Sequence, residues 1–325
     1  MRTTTLDAIQ EAHSIIGDFV KRTPLIHSEY LSDYCKGEVF LKMENQQHTS
    51  SFKIRGALNR MSELSQEEKE RGVVTASSGN HAQAVALASQ KLGIHATIVV
   101  PEHVSKAKLS KIRKFDVEVV LEGGFDDVEV KAREIARSQG KTYVSPYNDL
   151  AVVAGQGTIG IEVIEELDHF DSIIVPVGGG GLIAGIAVAV KNLNPEVQVI
   201  GVQTPGSRTM YESWLQGEVV RIEEGETLAE AFLGGVEENS VTLDMIMEYV
   251  DEIVLVQEET VEEAIRLLWN QEKQIIEGAA GTALGPLLET PQRFVGKTVV
   301  AIVSGGNIER SFFERIIGTA QEKKH

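Results

Sequence analysis

Residues 172–190 read SIIVPVGGGGLIAGIAVAV, and the reading of this stretch decides the fold class. The run at 172–177 is apolar and β-branched without alternation, as in a strand buried on both faces of a parallel sheet. The apolar segment after Gly181 has helical length. Between the two lie Gly178, Gly179, Gly180 and Gly181. Bare glycine backbone lets N–H groups crowd an anion, and the following helix N-terminus adds positive partial charge. A tight turn with close helix–strand packing also uses glycine, but four in succession exceed what a turn requires, so a phosphate site is the favoured reading.

The same rhythm extends outward. Upstream, VVT at 73–75, ATIVV at 96–100, VEVVL at 117–121 and TYV at 142–144 alternate with helix-length segments; downstream, VQVIGV at 197–202, EIVLV at 252–256 and TVVAIV at 298–303 do the same. The pattern predicts an α/β protein with two open, mostly parallel sheets carrying helices on both faces. EVFLKM at 38–43 fits either sheet. The expected division is a large domain from 1–68 and 150–325 and a small domain from 69–149. Polar loops at 77–80, 178–181 and 304–307 each follow a strand, where open parallel sheets bind ligands, so one ligand is expected in a cleft between the domains.

Composition narrows the function classes. A formal charge of −17 argues against a nucleic-acid partner, because phosphate backbones need clustered Lys and Arg. The single cysteine, Cys35, allows no internal disulfide, and a reducing cytoplasm is expected. Leu6, Ile9, Ala12 and Ile16 space as an amphipathic helix rather than a leader, and no apolar run is long enough for a bilayer. A dinucleotide site would want an acidic residue at the end of the strand at 197–202. Gln203 follows instead, which disfavours a nucleotide-binding oxidoreductase and also a dedicated metal site there.

The segment HTSSFKIRGALNRM at 48–61 reads as a helix start, with Ser50 or Ser51 as the expected cap. Lys53 falls in the first turn, an unfavourable place for a cation. The helix dipole and nearby Arg55 are expected to lower its pKa, as an imine-forming amine requires.

With these residues in view, SSFKIRGA at 50–57, SSGNHAQ at 77–83, AGQGT at 154–158, GGGGL at 178–182 and SGGN at 304–307 together resemble the fold-type II pyridoxal-phosphate enzymes. The resemblance is to the threonine/serine dehydratase and serine racemase branch, and it spans nearly the whole chain in the family's order. It implies pyridoxal 5'-phosphate as cofactor, held by Lys53 as a Schiff base. Phe52 would lie beside the ring, Asn80 would bond the pyridine hydroxyl, Gly178 to Gly181 would cradle the phosphate, and Ser304 would meet the pyridine nitrogen. The resemblance assigns catalysis to Lys53 and Ser78. It assigns the amino-acid substrate's carboxylate to the loop of Ser77, Ser78, Asn80, His81 and Gln83. A neutral Ser304 makes the ring a weaker electron sink, which favours expulsion of a β-hydroxyl over transamination.

The implied activity is loss of water and ammonia from L-threonine or L-serine, giving 2-oxobutanoate or pyruvate. A serine racemase or a 3-hydroxyaspartate dehydratase is the rival on the same scaffold. Relatives usually read TGSFK where this chain has Ser50 in place of the glycine. Tyr147, in Pro146-Tyr147-Asn148, replaces the asparagine typical of racemases and reads as a dehydratase. Gly234 and Gly235 are expected to approach the cofactor and Glu277 the ring edge. The chain ends soon after Asn307, so a short catabolic-type enzyme is expected, assembled as a homodimer or homotetramer.

Overall fold

A computed structural model describes residues 3–322. Among these residues, ten strands form two sheets. The larger sheet contains β1 (Leu25–His27), β2 (Glu38–Lys42), β7 (Ser172–Pro176), β8 (Gln198–Gln203), β9 (Glu252–Leu255) and β10 (Thr298–Ile302), in the order β1-β2-β10-β7-β8-β9. All its pairings are parallel except β1 against β2. The smaller sheet is wholly parallel and runs β5 (Glu118–Leu121), β4 (Ala96–Val100), β3 (Val73–Ala76), β6 (Thr142–Tyr143). The segment at 38–43, open from sequence, thus joins the larger sheet.

Both sheets are covered on two faces, which explains their unbroken apolar strands. Every residue of β4 and of β7 is buried. Along β7 the strand period of two sends Ile173 and Val175 into one core, with Ile9, Val153 and Ile183, and Ile174 into the opposite core, with Leu31, Val261 and Ile265. The N-terminal helix Leu6–Ile16 forms as its spacing predicts, capped by Thr5 and burying Ile9, Ala12 and Ile16. No helix among the described residues is long and apolar enough to cross a membrane.

The packing runs across the expected boundary at 68/69. Ile54, Ala57, Leu58 and Met61 of the helix Lys53–Ser62 join Val73, Val85 and Ile98 in the core of the smaller sheet. The same helix packs against the helix Leu150–Glu166 that covers the larger sheet. The segment carrying Lys53 is therefore wedged between the two sheets.

In the larger sheet the chain runs outward from β7 through β8 to β9, then returns as β10 between β2 and β7. This reversal places a switch point between β10 and β7, and the loops after these two strands are Ser304–Asn307 and the four glycines. The loops after β3 and β6 bring residues 77–80 and 146–148 to the same place from the smaller sheet.

Candidate active site

The entry to the Lys53 helix is bent rather than capped. Thr49 and Ser50 have φ of 62° and 55°, and Phe52, the N-cap residue, makes no side-chain cap bond. The expected serine cap is not formed: the Ser51 hydroxyl is buried with no partner among the described residues. Backbone bonds to the loop after β10 hold the segment instead. Phe52 N donates to Ser304 O at 3.1 Å, Gly306 N donates to Ser50 O at 2.9 Å, and Ser51 bridges Gly305. Two successive left-handed residues cost strain that glycine at position 50 would relieve. The strain persists because pairing with residues 304–306 leaves this path as the route into the helix.

The Lys53 amine lies 2.8 Å from Pro146 O and 5.1 Å from the Phe52 ring centre. Burial lowers its pKa from 10.5 to about 8, and the Glu277 carboxylate opposes that shift. Arg55 is not the cause expected from sequence. Its guanidinium is wholly buried on the other side, 2.8 Å from Glu44 and 2.6 Å from Glu162. Burial alone would lower the Arg55 pKa, but those two carboxylates override it and hold it up. Lys42, equally buried, lies 2.8 Å from the same Glu162. Two cations and two carboxylates therefore neutralise one another and tie β2, the Lys53 helix and the helix Leu150–Glu166 together.

The glycine loop is crowded on its side-chain faces. A Cβ on Gly179 would come 2.5 Å from the Tyr147 ring, one on Gly181 3.0 Å from Tyr147, and one on Gly178 3.3 Å from Phe232. Gly180 has φ +88°, and a Cβ there would lie 2.7 Å from Ile246. Thr242 Oγ1 donates to Gly179 O at 2.7 Å and fixes the loop. Gly179 and Gly180 thus demand bare backbone, and Gly178 and Gly181 leave a side chain little room. The helix Gly181–Leu193 begins at its end, so first-turn N–H groups that lack intrahelical acceptors point toward the cradle.

From the smaller sheet, Ser77 and Ser78 lead into the helix Asn80–Leu92. Asn80 Nδ2 donates to Glu277 Oε1 at 2.7 Å, which places Glu277 beside Asn80. Burial raises the Glu277 pKa, against the pull of Asn80, the Asn307 N–H, Lys111 and Lys53. Ser304 is buried beside them.

His81 departs from its expected substrate contact. Its ring is buried, with Nε2 3.0 Å from Val144 O, and burial followed by the Lys53 charge lowers its pKa to about 3. A neutral imidazole donating to that carbonyl supports the loop from behind. Gln83 is also buried and turns toward Gly79 O, at 3.5 Å, leaving Ser77, Ser78 and Asn80 as the accessible members. The N–H groups of Gly234 and Gly235 donate to the Glu224 carboxylate at 2.9 and 3.2 Å, and Phe232 is the neighbour that meets the glycine loop. Gln203 is structural, accepting from Tyr211 N at 2.7 Å.

Sequence reasoning missed Tyr147 as a wall of the cradle, Pro146 O as the partner of Lys53, and Lys111 at the end of the Asn307 chain. The aromatic in the loop after β6 was visible, but nothing local says which glycines it covers. A group with a phosphate, a hydroxyl and an aldehyde on one ring fits the set: a side-chain-free cradle, an amide donor at Asn80 and a depressed amine at Lys53. These residues fit pyridoxal phosphate.

Comparison with known proteins agrees. A family model described as pyridoxal-phosphate dependent enzyme matches residues 16–305. The L-threonine ammonia-lyase of Thermotoga maritima is 46% identical over 96% of this chain and 78% of its own length. The catabolic L-threonine dehydratase of Escherichia coli K12 is 42% identical over 96% of both. Among solved structures, the serine racemase of Dictyostelium discoideum superposes with a TM-score of 0.89 at 35% identity, covering 95% of this chain and 100% of that one.

Proposed function

Because this chain belongs to the pyridoxal-phosphate-dependent enzyme family, we propose that it is a lyase that removes water and ammonia from L-threonine, and from L-serine as a second substrate. The observation that carries the reading is the Lys53 amine, depressed to about 8 and placed among the loops at the carboxyl ends of both sheets. When bound, pyridoxal phosphate supplies an electron-withdrawing ring that makes the α-proton of an attached amino acid acidic.

The chain's own residues do the rest. Gly178 to Gly181 receive the phosphate through backbone N–H groups, and Asn80 Nδ2, with one hydrogen on Glu277, offers its other to the ring hydroxyl. Ser304 would present a neutral hydroxyl to the ring nitrogen, which would not hold a proton there as a carboxylate does. Phe52 shields one face from water. Ser77, Ser78 and the first-turn N–H groups of the helix Asn80–Leu92 would receive the substrate carboxylate, and the catalytic assignment of Ser78 rests on the sequence resemblance. Lys53, partly neutral near physiological pH, takes the α-proton. The β-hydroxyl then leaves with a proton as water, and the released enamine takes up one water and gives up ammonia, which yields 2-oxobutanoate from threonine or pyruvate from serine.

The division into 1–68 with 150–325 and 69–149, a cytoplasmic location, and assembly as a homodimer or homotetramer belong to the same proposal. Exposed Tyr30 and Tyr34, whose rings stack at 6.4 Å, offer apolar surface to such an assembly. The test is product analysis of the holoenzyme with L-threonine, L-serine and 3-hydroxyaspartate. Release of 2-oxobutanoate as the fastest reaction supports the proposal. Formation of D-serine without 2-oxo acid, or turnover of hydroxyaspartate alone, refutes it.

A further inference from the structure

A hydrogen-bonded chain crosses from one sheet's loops to the other's beside Lys53. It starts at Lys111, half-buried on the short helix Lys106–Ile112, whose Nζ lies 2.8 Å from Asn307 Oδ1. Asn307 Nδ2 donates to Asn80 Oδ1 at 2.8 Å and to Thr49 O at 2.7 Å. Asn80 Nδ2 donates to Glu277 Oε1 at 2.7 Å, and Asn307 N closes the circuit on Glu277 Oε2 at 3.2 Å.

The chemistry of the two ends sets its direction. A lysine ammonium can only donate, so Asn307 must turn its oxygen toward Lys111 and its NH2 toward Asn80. An ionised glutamate can only accept, so Asn80 must turn its NH2 toward Glu277. Both ends demand the same orientation of both amides, and the Thr49 carbonyl agrees. A flipped Asn80 would set oxygen against the Glu277 carboxylate and NH2 against NH2 of Asn307. The unused hydrogen on Asn80 Nδ2 is therefore held as a donor.

We infer that Lys111 is a positioning residue, which acts through Asn307 to hold the Asn80 amide as a donor toward the ring hydroxyl of the cofactor. The inference rests on the pyridoxal-phosphate reading above and adds a residue from a helix of the smaller sheet's layer. Lys111 also lies close enough to Glu277 to oppose the upward pull of burial on that carboxyl, alongside the hydrogen bonds from Asn80 and Asn307 N. Because Lys111 belongs to the smaller sheet's layer and Asn307 to the loop after β10, the orientation is complete only when these two parts are docked.

The experiment measures the affinity of the apoprotein for pyridoxal phosphate by fluorescence titration, with the absorption maximum of the bound cofactor as a second readout. The proteins are wild type, K111M, K111R, N80A and K111M/N80A. K111M should bind on the order of tenfold more weakly, as for loss of one hydrogen bond to a charged group, and its absorption maximum should shift. K111R, which keeps a donor, should recover most of the affinity. In the N80A background K111M should cost nothing further, since its effect passes through the missing amide. Unchanged affinity and spectrum in K111M, K111R as weak as K111M, or additive losses in the double variant would overturn the inference while leaving the site reading intact. Failure of the wild type to bind the cofactor would instead overturn the site reading, and this inference with it. K111M alters a half-buried side chain on a surface helix, so its two readouts decide the matter even if N80A folds poorly.

Discussion

Attachment of cofactor to the apoprotein should accelerate with pH around a midpoint near 8, far below that of an ordinary lysine. The perturbation is pH itself, because burial of the Lys53 amine lowers its pKa from 10.5 to about 8. At pH 7 a group of pKa 8 is roughly a tenth neutral, whereas one of pKa 10.5 is neutral about once in 3,000, so the site makes the amine about 300-fold more available. Rapid mixing of apoprotein with pyridoxal phosphate across pH 6–11, followed by the visible band of the attached cofactor, reads the midpoint. The same shift has a stability side. The folded pKa lies below the unfolded one, so charged Lys53 penalises the fold below pH ~8, and the penalty fades as pH rises through ~10.5. Apoprotein carrying Lys53→Met should therefore be more stable than wild type at pH 7, by about 3 kcal/mol, and converge with it above pH ~10.5. A midpoint near 10, or a Met variant no more stable at neutral pH, refutes the claim that burial poises this amine. Removing the opposing carboxylate with Glu277→Gln should move the midpoint lower still.

Other consequences are local. Ser50→Gly should stabilise the protein by roughly 0.5–1 kcal/mol in urea denaturation, because φ of 55° strains serine and not glycine; a loss of stability would show that the hydroxyl matters more than the backbone. Glu162→Gln should destabilise by about 3 kcal/mol, since buried Arg55 and Lys42 each lose one carboxylate and keep only Glu44 and Glu166, whereas Glu165→Gln, at an exposed pair with Arg22, should change stability by less than ~1 kcal/mol. Equal effects of the two would undo the assignment of a neutralised buried cluster. Gly179→Ala drives a methyl into the Tyr147 ring, so the loop or the ring must move; cofactor affinity should fall at least roughly tenfold with the fold retained, as calorimetry and titration would show.

The layout of strands was legible because each buried strand announces itself locally. Unbroken Val/Ile runs at 96–100 and 172–176 mark sheets covered on both faces, and the glycines at 178–181 mark the loop that follows one of them. The candidates for the site were visible in a similar way: the four glycines, Ser304 and the loop before Asn80 each follow a strand, and Lys53 stands in a motif that reads as a helix start. Electrostatics was not. Arg55 and Lys53 are two residues apart, yet Arg55 faces Glu162, more than a hundred positions away in sequence, and its charge is cancelled there. The caps failed similarly: Ser50 and Ser51 have the chemistry of helix caps, but pairing with residues 304–306 claims their backbone. His81 lies in a polar motif and is nonetheless buried, because helix position rather than residue type decides which side chains face the cleft. Lys111 carries no signal at all, being one of several lysines on a basic helix; only the fold puts it against Asn307.

The central claim is that a single amine, at the start of the helix wedged between the sheets, carries the cofactor. Borohydride reduction of the holoprotein followed by peptide mapping tests it directly. The account predicts one modified peptide, containing Lys53, and loss of threonine turnover in proportion to labelling. Label on another lysine, or full reduction with turnover intact, would contradict it.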